Sequence, residues 1–171
     1  MSMDPGLWQA HLTFALLGAL ALPLAAYLRA LVDDLAVTTV IAMGWAIAVR
    51  MNVFAPLAAM HRWQLLVGFG LLALLLYPAT LGLTYADPYR LGYSPRPLIV
   101  AIGLLALLML HWRNRLGGLM LCAATLAFSL DLKPSDNYWD YLLDPFVAVY
   151  CWLALLLASG RRLWQRRLAT P

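Results

Sequence analysis

Residues 135–145 read Ser-Asp-Asn-Tyr-Trp-Asp-Tyr-Leu-Leu-Asp-Pro, which spaces Asp136, Asp140 and Asp144 at i, i+4 and i+8. On a helix, that spacing lines three carboxylates along one face, with Trp139, Leu142 and Leu143 largely elsewhere. Such a segment would be a short interfacial helix lying on the outer leaflet of a membrane. Like charges so aligned repel one another unless something compensates them. Arginines from another loop, a divalent cation or a partner protein could do so, and the carboxylates could also serve as a general base or metal ligands. The plainer reading is that Asp144 caps a helix opening at Pro145, while Asp136 and Asp140 are solvated.

A second cluster lies in residues 85–97, Tyr-Ala-Asp-Pro-Tyr-Arg-Leu-Gly-Tyr-Ser-Pro-Arg-Pro. Its three prolines and three tyrosines favour an ordered loop, and long ordered loops often carry function. Arg90 and Arg96 have planar guanidinium groups that can grip a phosphate or carboxylate with two donors at once. Combined with the acidic segment they give a candidate interaction site of Asp87, Arg90, Arg96, Asp136, Trp139, Asp140 and Asp144, suited to a partner protein, a lipid headgroup or a lipid-linked sugar. The plainer alternative is a pair of interface anchors salt-bridged to Asp87 or Asp140.

The remaining chemistry-bearing residues have simpler explanations. Asp33-Asp34 reads as a capped, solvated helix start. His11, His61 and His111 could in principle ligate haem or a metal, but no spacing rule links them, and no metal or cofactor is expected. Cys122 and Cys151 form no Cys-x-x-Cys pair and no zinc pattern; they read as small packing residues. Arg50 falls in the last turns of an apolar run, where a long side chain can snorkel to the boundary. The sequence has no His-Glu-x-x-His, Gly-x-Ser-x-Gly or phosphate-binding loop motif.

What must position these residues follows from composition. Of 171 residues, 64% are apolar and 12% charged. A soluble domain carries roughly 25% charged residues, so too few are present to cover a water-facing surface. The net charge of +4 does not mark a nucleic-acid binder, because the basic residues sit at the ends of apolar runs instead of forming a stripe. Six such runs occur, at about residues 7–28, 35–55, 63–84, 97–112, 116–130 and 145–160; a membrane helix needs about 20 residues. The first reads as a retained span instead of a signal peptide, since no positive segment precedes it. The last three are short, and a re-entrant hairpin from the fourth and fifth is the alternative to two full crossings. Pro23 and Pro78 predict kinks, and Gly68, Gly70, Gly117 and Gly118 predict close helix approach.

The fold expected is an all-α polytopic transmembrane helix bundle, a single integral-membrane domain over residues 1–171 with about six spans and both ends in the cytoplasm. Alternation places Arg50, Arg62, Arg113, Arg115, Arg161, Arg162, Arg166 and Arg167 inside, and Arg29, Arg90, Arg96 and Lys133 outside, the bias that positive-inside orientation requires. All the acids except Asp4 fall outside. Tyr85, Tyr89, Tyr93, Tyr138, Trp139 and Tyr141 are expected at the outer interface, where aromatic belts form. The location implied is the inner membrane of a bacterium. The absence of an acid within any span argues against an ion-coupled carrier. The function expected is that of an accessory or scaffold subunit with an acidic, aromatic outer face, in contact with the bilayer and a membrane-protein partner. The alternatives are an enzyme acting on a lipid headgroup or polyprenyl-linked substrate, and a small transporter.

Overall fold

The computed structural model describes residues 35–169 and, further toward the N-terminus, Gly18 and Ala26. The expected first span, its proline at Pro23, and the readings placed on Asp4, His11, Arg29, Asp33 and Asp34 lie outside the described residues.

The described chain is helical, with no strand among the described residues. Its elements are α1 (Val37–Arg50), α2 (Ala59–Thr80), a 3-10 helix (Pro88–Gly92), α3 (Arg96–His111), α4 (Arg115–Ser129), α5 (Trp139–Leu142) and α6 (Pro145–Ala169). Among the described residues, α2 alone is long and apolar enough to cross a membrane. The others are shorter apolar helices, α6 contributing its first part, Pro145–Arg161.

The apolar runs become helices, and each ends through a local device. Four helices stop in a residue of positive φ: Asn52 after α1 (58°), Gly82 after α2 (73°), Arg113 after α3 (61°) and Asp131 after α4 (50°). In each case the next amide reaches back to close the last turn, as Val53 N–H does to Ala48 O and Asn114 N–H to Met109 O. This left-handed closure satisfies carbonyls that would otherwise be orphaned. Pro78 lies in the last turn of α2, where the helix is about to stop, and its carbonyl accepts from Leu83 N–H.

The helices run up and down. Trp112, Arg113 and Asn114 alone connect α3 to α4, so those two form a tight hairpin, and α4 also packs against α1. The other main pair is α2 with α6, joined by the Trp152 indole N–H donating to Gly70 O at 3.1 Å. The expected glycine contacts are present. A Cβ on Gly70 would sit 3.1 Å from Leu155, one on Gly117 3.0 Å from Leu65, and one on Gly118 would run into Leu110.

The core runs along the bundle axis through Leu66, Phe69, Ala73, Ile102, Ala106, Met120, Leu121 and Ala124. The outward faces carry Met43, Ile47, Leu71, Leu74, Leu104, Leu107, Leu126, Leu153 and Leu156, all exposed. Charged residues lie instead at the two ends. Arg50, read above as lying in the last turns of an apolar run, is exposed and is the last residue of α1.

Candidate functional site

One end of the bundle gathers the starts of α1, α3 and α6 and the ends of α2 and α4. Residues 131–144 fold into this end as a plug. Tyr138, Trp139, Tyr141 and Leu142 have no exposed surface at all. This corrects the expectation of an aromatic belt at these positions: three of the six rings are core residues. The Phe128 ring packs against both Tyr138 and Tyr141, at centroid distances of 5.0 and 5.3 Å.

Rings buried this deeply must satisfy their polar atoms, and each does so. The Trp139 indole N–H donates to Pro88 O at 2.9 Å. The Tyr138 hydroxyl shares a 2.6 Å hydrogen bond with the Thr125 hydroxyl. The Tyr141 hydroxyl donates to Lys133 O at 2.8 Å and accepts from Lys133 N–H at 3.1 Å. Burial pushes the Tyr138 hydroxyl up from its ordinary pKa, partly offset by the Thr125 hydrogen bond.

The plug is stitched to the 3-10 helix by backbone and amide groups. Asn137, almost fully buried, donates from Nδ2 to Tyr89 O at 3.1 Å and accepts Trp139 N–H on Oδ1 at 2.9 Å. Tyr138 N–H donates to Gly92 O at 3.1 Å. Gly92 is required by this approach, because a Cβ there would overlap the Asn137 side chain and crowd Trp139.

The three aspartates do not share a face. Helix α5 is a single turn, and Leu143 is extended (φ −148°, ψ 133°), so the i, i+4, i+8 alignment is broken after one turn. The segment is also not an amphipathic helix on a surface, since the side chains of Trp139, Tyr141 and Leu142 are buried. Asp136 is exposed. Asp140 is half-buried and accepts from the Tyr89 hydroxyl at 3.1 and 3.3 Å and from the Ser135 hydroxyl at 2.5 Å. Burial, then the Asp140 charge and the hydrogen bond to it, push the Tyr89 hydroxyl well above its ordinary range. Asp144 is buried; its Oδ1 accepts Val147 N–H at 2.8 Å and its Oδ2 accepts Ala36 N–H at 2.9 Å. It therefore caps α6, as the Asp-Pro pair implied, and in addition ties α6 to the residue preceding α1.

Lys133 strengthens the same junction. Its ammonium donates to Leu35 O at 2.9 Å and to Asp140 O at 3.0 Å, and lies 5.9 Å from the Tyr141 ring centroid. The Thr38 hydroxyl donates to Leu142 O at 2.8 Å. Reasoning from sequence missed Ser135, Asn137, Lys133, Thr38 and Gly92. Asn137 and Ser135, short polar residues just ahead of the aromatic run 138–141, were the only signal.

Around the plug stand the exposed residues of the candidate site. Asp87, Arg90, Arg96 and Asp136 are exposed, as are Tyr85 and Tyr93. The Asp87 carboxylate accepts Arg90 N–H at 3.2 Å and caps the 3-10 helix. Among the described residues neither Arg90 nor Arg96 forms the salt bridge to Asp87 or Asp140 considered above. Trp139 and Asp144 hold this end together from within and do not face outward. No three acidic, His or Cys side chains among the described residues are grouped to hold a metal ion.

The opposite end has its own fixed point. Asn114, fully buried, donates to His61 O at 2.9 Å and to Gln64 Oε1 at 3.1 Å, and accepts Gly117 N–H at 3.1 Å. It both caps α4 and fastens the α3–α4 turn to the first turns of α2. No protein-family model, no curated protein and no solved structure matches this chain.

Proposed function

We propose that this is a small multi-pass protein of a bacterial inner membrane that serves as an accessory or scaffold subunit, presenting the plug end to a partner on the outer side. The observation that carries the reading is the split between what is buried and what is displayed at that end. Tyr138, Trp139, Tyr141, Asn137 and Asp144 are consumed in an internal network, while Tyr85, Asp87, Arg90, Tyr93, Arg96 and Asp136 are held outward on the segments that network fixes. A rigid, polar and aromatic rim on an apolar bundle suits recognition of another protein, because little ordering entropy remains to be lost on docking.

The membrane placement is supported by the bundle's sides. No Asp, Glu, Lys or Arg occurs in residues 37–49, 63–86, 97–112, 116–130 or 145–160, and leucines face outward along α2, α3, α4 and α6, as Val40, Met43 and Ile47 do along α1. Helix α3, with 16 residues, is about 24 Å long and falls short of the roughly 30 Å hydrocarbon core; local thinning accommodates such a mismatch. The Asn114–His61 bond sets the α3–α4 turn level with the start of α2, which favours two full crossings over a re-entrant hairpin.

The topology is tested by single cysteines in a chain whose Cys122 and Cys151 are replaced by Ala. An impermeant maleimide added to intact cells should label Cys at Ser94 and Asp136 but not at Asn52 or Arg113. Labelling of both sets would refute alternating spans. For the docking role, crosslinking in native membranes should recover one defined partner with the wild type and lose it in Arg90→Ala/Asp136→Ala. The same partner yield from that variant would refute the outer rim as the docking surface.

A further inference from the structure

Among the described residues, the end opposite the plug carries cations with no anions among them. Arg50, Arg62, Arg113, Arg115 and Arg161 are all exposed there, and residues 50–62 and 111–116 contain no Asp or Glu. Among the described residues none of these five guanidinium groups has an ion-pair partner. Their backbone is well fixed. Asn114 bonds the α3–α4 turn to His61, so Arg62, Arg113 and Arg115 flank one buried anchor, and Arg113 is held in its left-handed conformation by the closure of α3.

The same end also exposes apolar side chains, and the combination narrows the ligand. Met51, Val53 and Met60 are 69%, 61% and 68% exposed in and beside the α1–α2 connection. Phe54 stacks on Trp45 at 4.8 Å, and Trp112 is exposed. A soluble anion would gain nothing from a rim of methionine and valine. A layer with phosphates above acyl chains complements both features, since polybasic segments beside a membrane are drawn to anionic lipid and amphipathic rings settle at headgroup level.

We propose that this end binds the headgroups of anionic phospholipids, with Arg62, Arg113 and Arg115 on the phosphates and Met51, Val53 and Met60 among the first acyl carbons. The proposal rests on the reading of the chain as an integral membrane protein. The fixed arginines give it selectivity, because a zwitterionic headgroup returns a positive charge to a site that already holds several.

The test uses the full-length protein in a neutral mild detergent, offered equal amounts of dioleoyl phosphatidylglycerol and dioleoyl phosphatidylcholine, with retained lipid counted by native mass spectrometry. The wild type should retain the phosphatidylglycerol preferentially, and high salt should reduce the preference. Arg62→Gln/Arg113→Gln/Arg115→Gln should lose roughly fivefold per arginine, whereas the corresponding triple lysine variant keeps most of the preference. Met51→Ser/Met60→Ser should retain less lipid, and free glycerol phosphate should not compete. Equal retention of the two lipids by the wild type, an unaltered preference in the glutamine variant, or a loss as deep in the lysine variant would overturn the proposal. Carbonate washing of membranes separates it from the reading beneath it: a chain that stays in the pellet but shows no lipid preference defeats the site alone, and one that is released defeats both.

Discussion

Asp144 makes two hydrogen bonds that a single substitution series can separate. Its Oδ1 holds Val147 N–H and its Oδ2 holds Ala36 N–H, and both Asp144 and Ala36 are buried. Losing the helix cap costs about 1 kcal/mol, and leaving the Ala36 amide buried without an acceptor costs about 1–3 kcal/mol more. Asp144→Ala should therefore destabilise the protein by about 2–4 kcal/mol. Asp144→Asn keeps one acceptor oxygen but turns an amide N–H toward the second donor, so it should lose one bond and cost about 1–3 kcal/mol. The assay is reversible unfolding of the full-length protein from mild detergent into denaturing micelles, followed by tryptophan fluorescence. An alanine variant within about 0.5 kcal/mol of the wild type, the range of an ordinary surface substitution, would refute the reasoning. Equal losses in the two variants would refute the claim that the two bonds contribute separately.

Three further predictions concern the two ends. Gly92→Ala places a Cβ onto Asn137 and against Trp139 and should cost about 1–3 kcal/mol, as overpacking does; the same unfolding assay reads it, and a neutral result would mean the plug can lift away from the 3-10 helix. Asn114→Ala removes a cap and leaves the His61 carbonyl without its buried donor, for a loss of about 2–4 kcal/mol, whereas Asn114→Asp should restore the cap but not the bond to His61. The alkaline limb of stability carries a third. The Tyr89 and Tyr138 hydroxyls are raised above the ordinary value of 10.0, so their contribution is fully present below pH 10.0 and is lost as pH rises beyond it, because the unfolded chain sheds these protons first. Tyr89→Phe should flatten that decline, and an unchanged pH dependence above pH 10.0 would refute the assignment.

The sequence by itself determined the helices and the location of charge. Helix formation in apolar runs is a local matter, so five of the expected segments correspond to α1, α2, α3, α4 and α6. The start of α6 was equally legible, since Asp144-Pro145 supplies a cap acceptor and a ring suited to the first turn. The close approaches at Gly70, Gly117 and Gly118 also follow from residue type, because only glycine lets a neighbouring helix so near.

Only the tertiary structure decided the fate of residues 135–144. Helical periodicity would have aligned Asp136, Asp140 and Asp144, but that rule holds only while the backbone stays helical. The Ser135 and Asn137 side chains compete for backbone amides, as short polar side chains do, and Leu143 leaves the helix. What then fixes each aspartate comes from elsewhere in the chain: Tyr89 for Asp140, Ala36 for Asp144. The same holds for Trp139, read from composition as an interfacial ring and buried because Pro88 O, 51 residues away, accepts its indole proton. Partners separated by 51 to 108 residues leave no local pattern. The elements of this protein were written in the sequence, and the choice between burying and displaying its polar groups belonged to the packing.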